Sequence, residues 1–258
     1  MTGSASWDPT QYLRFSNERL RPALDLLAQV PLEAPSRVVD LGCGPGNVTA
    51  LLRRRFPQAE ILGVDTSPDM LDKARSAAPD CRFALGDFAS WTPEAPVDLI
   101  YSNAALHWVG EHESLFPRLL SHLTEGGVLA VQMPAMHDAP LRRLQLTVAA
   151  DGPWAARLAR QVSAREILPV GAYYDLLRPL ASRLELWETT YLHVLQGEDA
   201  VVAWAAGSSL RPFLDRLDGP LQDAFRAAYA AALRPHYPRR LDGATLLPFR
   251  RLFLLATR

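Results

Sequence analysis

The chain has 258 residues, enough for one substantial core, and its 27 lysines and arginines against 28 aspartates and glutamates leave a formal net charge of −1. That balance excludes a global attraction for nucleic acid, and no run of roughly 18 apolar residues is present to span a bilayer. Cys43 and Cys81 show neither CxxC nor Cys/His spacing, which argues against a disulfide framework and against zinc.

The opening MTGSASWDPT lacks a basic region followed by an apolar run, so a soluble cytoplasmic protein is expected. The first strong element is Val38-Val39-Asp40-Leu41-Gly42-Cys43-Gly44-Pro45-Gly46-Asn47, a strand running into a glycine turn that opens a helix. Glycines at 42, 44 and 46 let backbone pass close to a ligand, and the helix start offers N–H groups to a carboxylate. The spacing is G-x-G-x-G, whereas a dinucleotide-binding loop normally reads G-x-G-x-x-G, so a smaller nucleoside-bearing ligand is implied.

A second strand, EILGVD, ends at Asp65, about twenty residues beyond the loop, where an acidic side chain can grip the hydroxyls of a ribose. Thr66-Ser67-Pro68 then reads as a helix N-cap with proline in the first turn. A third strand, Cys81–Leu85, precedes Gly86-Asp87-Phe88. Asp87 is placed to accept from an adenine amino group, and Phe88 to lie against the ring or pack in the core. A fourth strand, Val97–Ser102, ends at Asn103-Ala104-Ala105-Leu106-His107-Trp108. After a helix over Leu115–His122 and a turn at Thr124-Glu125-Gly126, the fifth strand covers Gly127–Met133. This alternation, with nearly unbroken apolar strands, predicts an α/β fold with a mostly parallel sheet covered by helices on both faces.

Helical periodicity then occupies 134–178 before a sixth strand near Leu184–Val194, and again Glu198–Tyr237 before a last strand Arg250–Thr257. The expected organisation is a single Rossmann-like domain over 1–258 with a seven-stranded sheet. Cap elements are expected at about 1–30, 134–180 and 197–247, beside the carboxyl edge where they exclude water and select a substrate. Arg53-Arg54-Arg55, Arg142-Arg143 and Arg239-Arg240 read as solvated faces. His107 and His112 are too sparse for a metal without further ligands.

VVDLGCGPG, GVDTSPDM, GDF and DLIYSNAALHW together resemble the cofactor motifs of class I S-adenosylmethionine-dependent methyltransferases. The resemblance implies that Asp40 and the loop Gly42, Cys43, Gly44 and Gly46 hold the methionine portion. It implies that Asp65 holds the ribose with Thr66 and Met70 nearby, that Asp87 and Phe88 meet the adenine, and that Asn103 lines the methionine end. WDPTQYLRFSNERLRPALDLLAQVPL, LAVQMP, AYYDLL, WETTYLH, LRPFL and RRLFLLA narrow the resemblance to the trans-aconitate 2-methyltransferases. That family transfers a methyl group to a carboxylate of a small acid. Two departures bear on acceptor choice: His107 stands where glutamine is expected before Trp108, and Ala135-Met136 stand where Asp-Asn is expected.

A carboxylate nucleophile is already ionised at neutral pH, so no catalytic acid–base pair and no metal are expected. A polyanionic acceptor needs cationic and hydroxyl donors, because guanidinium matches a carboxylate bidentately. Arg211, in a turn-like break between helices, and Arg251, in the apolar last strand, are the leading arginines, against a surface role for the first and an exit to water for the second. Tyr12, Arg14, His107, Trp108 and Tyr173 complete the candidate acceptor contacts, each against a packing or hydrogen-bonded structural role. A nicotinamide-dependent oxidoreductase, a non-catalytic nucleoside-binding module and a methyltransferase for another small metabolite are the competing functions.

Overall fold

The computed structural model describes residues 16–162 and 167–258, so the expected contacts of Tyr12 and Arg14 lie outside the described residues. The elements in order are α1 (Ser16–Gln29), β1 (Arg37–Leu41), α2 (Asn47–Arg55), β2 (Glu60–Asp65), α3 (Pro68–Ala77), β3 (Arg82–Leu85) and β4 (Val97–Asn103). A 3-10 turn (Leu106–Trp108), α4 (His112–Ser121), β5 (Leu123–Pro134), α5 (Pro140–Ala150), α6 (Ala155–Val162), α7 (Val170–Leu177) and β6 (Arg183–Leu195) follow. The chain ends with α8 (Ala200–Ala206), α9 (Arg211–Leu214), α10 (Gly219–Leu233) and β7 (Thr245–Thr257).

The strands form one seven-stranded sheet in the order β3-β2-β1-β4-β5-β7-β6. Pairs β1–β2, β1–β4, β2–β3 and β4–β5 are parallel, and β7 runs antiparallel to β5 from Val128↔Thr257 to Pro134↔Arg251. The chain reverses direction across β1, with β2 on one side and β4 on the other, which places the β1 and β4 carboxyl ends at the switch point where open sheets of this kind take ligands. The turn expected at Thr124-Glu125-Gly126 is instead an irregularity within β5: Val97 pairs with Leu123 but Leu99 pairs with Val128, and Gly126 takes φ 76. Extra residues against a shorter partner segment are absorbed in this way without breaking the strand.

The chain forms two compact units. The sheet unit comprises residues 17–135, 167–189 and 251–258. Its core sets Val39, Leu41, Ile100, Leu129, Val131, Met133, Leu252 and Leu254 against Phe116, Leu119 and Tyr173 from α4 and α7. Arg53 is more than the solvated face expected of it: its guanidinium donates to the carbonyls of Pro57, Ala59 and Asp80, tying α2 to the β2 and β3 approaches. The other unit, described over 136–162 and 190–250, is mainly helical and has its own core of Leu141, Trp154, Leu158, Trp204, Phe213, Phe225 and Tyr229. Trp154 meets Phe225 edge-on at 5.2 Å, and the Tyr229 hydroxyl donates to the Leu141 carbonyl at 2.7 Å. These buried hydroxyl and ring contacts tie α10 to α5 and to the segment before α6.

Candidate active site

The glycine loop after β1 is folded by its neighbours. Gly42 and Cys43 both donate to the Val64 carbonyl, at 2.8 and 3.0 Å, and Gly46 donates to the Cys43 carbonyl at 3.1 Å before α2 begins. Gly42 takes φ 83, and a Cβ there would stand 2.2 Å from the Ala105 Cβ, so the residue joins the loop to the segment after β4 as only glycine can. At Gly44, with φ 54, a Cβ would meet no heavy atom within 4 Å. That glycine is therefore explained by backbone conformation and by open approach from outside rather than by internal crowding.

Asp65, at the end of β2, accepts from Gly44 N–H at 2.8 Å through one oxygen and from Ser67 N–H at 2.9 Å through the other. A carboxylate offers about four lone-pair sites, so two remain for a pair of ligand hydroxyls. Ser67 caps α3, its hydroxyl accepting from Met70 N–H at 3.4 Å, with Pro68 in the first turn as the sequence leads one to expect. Thr66 separates Asp65 from this cap, and Met70 is buried in α3.

Asp40 is buried beneath the loop and accepts the Thr49 hydroxyl at 2.6 Å. Burial pushes its carboxyl up to about 7; the Thr49 bond works against this shift and the charge of Asp65 adds to it. The neighbouring Cys43 thiol is raised far above its ordinary value, chiefly by burial and then by Asp40 and Asp65, so it is an inert filler of the loop. At the end of β3, Asp87 is exposed and accepts from Ala89 N–H at 2.9 Å. Phe88 is buried in the sheet unit's core with a ring carbon 3.7 Å from the would-be Gly42 Cβ, the packing alternative to a ring-face contact. Arg118 of α4, which no motif marks, holds this segment by donating to the carbonyls of Phe88, Ala89 and Trp91.

Asn103 closes β4, and its Oδ1 is buried with no hydrogen-bond partner among the described residues. Ala104 then takes φ 54 and donates its N–H to the Gln132 carbonyl at 2.9 Å, turning the chain into Leu106-His107-Trp108. His107 is held down to about 3 by burial first, then by the charges of Arg251 and His112, so its ring is neutral at working pH. Its ring lies 4.7 Å from that of Trp108, which is about half exposed.

Arg251 is buried, contrary to an exit to water, and donates from Nη1 to Gln132 Oε1 at 3.3 Å. Tyr173, expected as a cavity-lining residue, is a fully buried core residue of the sheet unit: its hydroxyl pairs with His112 Nδ1 at 2.5 Å and accepts from Leu168 N–H at 3.3 Å. His112 Nε2 in turn bonds the Leu106 carbonyl at 2.9 Å, so Tyr173 and His112 brace the 3-10 turn. Arg211 lies in the helical unit, where the expected turn is the short helix α9 and the guanidinium pairs with Asp215 at 2.9 Å. The sheet unit thus gathers Asp40, Gly42, Cys43, Gly44, Gly46, Asp65, Thr66, Met70, Asp87, Phe88, Asn103, His107, Trp108 and Arg251, but not Arg211.

A family profile described as a methyltransferase domain matches residues 38–127, the stretch from β1 into β5. A trans-aconitate 2-methyltransferase of Azoarcus sp. is 51% identical over 98% of this chain and 99% of its own. One of Methylobacterium nodulans is 52% identical over 98% and 99%. The chain belongs to the trans-aconitate 2-methyltransferase family. Its fold is shared much more widely: a methyltransferase of Thiobacillus denitrificans, solved with S-adenosylhomocysteine, superposes with a TM-score of 0.55 at 19% identity, covering 98% of this chain and all of that one. Gln132 and Arg118 organise the strand ends around these candidate residues, and neither belongs to a cofactor motif. Only Gln132 carries a sequence signal, a polar residue inside the apolar run LAVQM.

Proposed function

We propose that this protein transfers the methyl group of S-adenosylmethionine to a carboxylate of trans-aconitate, releasing a monomethyl ester and S-adenosylhomocysteine. The observation that carries the acceptor is the identity of about half of all residues to named trans-aconitate 2-methyltransferases along 98% of the chain. The cofactor reading also rests on the fit of the residues: an open Gly44, spare lone pairs on Asp65 for a ribose, and the buried Asn103 Oδ1, an acceptor suited to an ammonium. When bound, S-adenosylmethionine supplies a methyl group made electrophilic by its sulfonium.

The chain's own residues bind and orient. Gly42 and Gly46 fix the loop, Asp65 grips hydroxyls, and Asp87 stands exposed at the β3 end where an adenine amino group would be met. No side chain is needed to take a proton from the acceptor, whose carboxylates ionise near pH 4. His107 agrees with this, since a ring held at about 3 is too weak a base to serve, and it offers a neutral hydrogen-bonding edge instead. Arg251 is a buried cation suited to an anionic acceptor, and Trp108 supplies exposed aromatic surface beside His107. Both cysteines are free thiols, which supports work in the reducing cytoplasm. Incubation with methyl-labelled S-adenosylmethionine and trans-aconitate, followed by mass spectrometry, should give the base-labile monomethyl ester. Labelling of another acid, with trans-aconitate untouched, would leave the family and remove the acceptor.

A further inference from the structure

Gln132 has no assigned role, yet the polar atoms at the carboxyl ends of β4 and β5 are organised around it. It is fully buried near the end of β5, paired with Asn103 of β4 on one side and Phe253 of β7 on the other. Because side chains alternate along strands, Asn103, Gln132 and Arg251 share one face of the sheet. Arg251 donates to Gln132 Oε1. That bond settles which end of the amide faces the guanidinium, since the reversed amide would set donor against donor. The Nε2 donor therefore points elsewhere, and it is buried with no hydrogen-bond partner among the described residues. Burying an unsatisfied amide donor costs about 1–3 kcal/mol, a cost that a ligand oxygen at Nε2 would remove. His107 Nδ1, in the field of the same arginine, is likewise buried and without a partner among the described residues.

We propose that Gln132 is a specificity-determining residue whose Nε2 donates to a carboxylate of the acceptor that is not itself methylated, with Arg251 holding the amide in that orientation. This rests on a carboxylic acid being the acceptor. The carboxylate completes the hydrogen bonding of Gln132 and gains the nearby positive charge of Arg251, while Asn103 on the adjoining strand serves the cofactor side. One sheet face thus carries donors for the acceptor at β5 and an acceptor for the cofactor at β4.

The test uses the full chain and four acids. Itaconate, glutaconate and mesaconate each have the carbon skeleton of trans-aconitate with one carboxylate removed, a different one in each case. KM is measured for every acid that is methylated, and the inhibition constant for any that is not. Gln132→Leu removes the donor; Gln132→Glu keeps an oxygen for Arg251 and turns the donor into an anion. In both variants the constant for trans-aconitate should rise about 10- to 100-fold, with kcat within about threefold and S-adenosylhomocysteine affinity unchanged by calorimetry. The analogue lacking the anchored carboxylate should bind wild type and Gln132→Leu equally. An equal rise for all four acids, or no rise for trans-aconitate, overturns the proposal and leaves Gln132 as support for Arg251. If the wild-type protein binds S-adenosylhomocysteine but neither methylates nor binds any of the four acids, the acceptor reading fails first and this inference falls with it.

Discussion

Asp40→Asn is the perturbation whose size follows most directly from the structure. The Asp40 carboxyl has an ordinary value of 3.8 and is pushed up to about 7 in the folded protein, mainly because it is buried. Between those values the folded chain keeps a proton that the unfolded chain has released, so stability falls as pH rises from about 4 to about 7. A shift of about three units corresponds to roughly 4 kcal/mol as a ceiling on that loss. Asparagine carries no charge at any of these pH values and retains an oxygen for the Thr49 hydroxyl. Urea unfolding of both proteins at intervals from pH 4 to pH 8 should therefore show Asp40→Asn gaining on wild type, by up to about 4 kcal/mol at the upper end. Groups common to the two proteins cancel in the difference. S-adenosylhomocysteine adds a second reading: if its ammonium meets Asp40, binding favours the ionised carboxylate, and wild-type affinity should strengthen up to pH 8 while the variant stays flat. Parallel stability curves for the two proteins would refute the argument that burial governs Asp40.

Three further outcomes are expected. Gly42→Ala, with its Cβ 2.2 Å from that of Ala105 at φ 83, should lower stability by more than about 2 kcal/mol, whereas Gly44→Ala, with open space around it, should fold with about 1 kcal/mol of strain yet bind S-adenosylhomocysteine poorly; equal melting of the two would contradict the packing assigned to Gly42. Asp65→Ala should weaken S-adenosylhomocysteine by about 1–3 kcal/mol in calorimetry, and unchanged affinity in a folded variant would remove Asp65 from the cofactor site. With cofactor saturating, single-turnover methyl transfer should be flat from pH 6 to 8, because His107 is neutral throughout at about 3 and the acceptor is ionised; a bell-shaped profile that vanishes in His107→Gln would make His107 a participant.

The elements that carry the candidate cofactor residues were legible because they are local. A strand, three glycines and a helix start occupy ten consecutive residues, and Asp65 and Asn103 follow at strand ends that apolar runs mark clearly. Pairing order was not legible: nothing in the last strand's composition says that β7 lies between β5 and β6 and runs antiparallel to β5, because periodicity reports which face is buried and not which neighbour covers an edge. The same limit explains Tyr173, whose hydroxyl pairs with His112 some sixty positions away, and Arg211, which pairs with Asp215 at the end of its own short helix. Gln132 reads as a blemish in an apolar strand until Arg251, distant in sequence, is seen to fix its amide.

Ala104 occupies a left-handed backbone conformation at φ 54, which alanine adopts at a cost and which its N–H bond to the Gln132 carbonyl holds in place. Main chain therefore starts the turn into Leu106-His107-Trp108, which His112 and Tyr173 then brace. Replacing the imidazole at 107 by an amide then changes the hydrogen-bonding groups that the turn presents while its backbone keeps its course. Glycine at 104 would relax the twist and loosen every residue of the turn together, trading a gain in backbone ease for a loss of pointing accuracy.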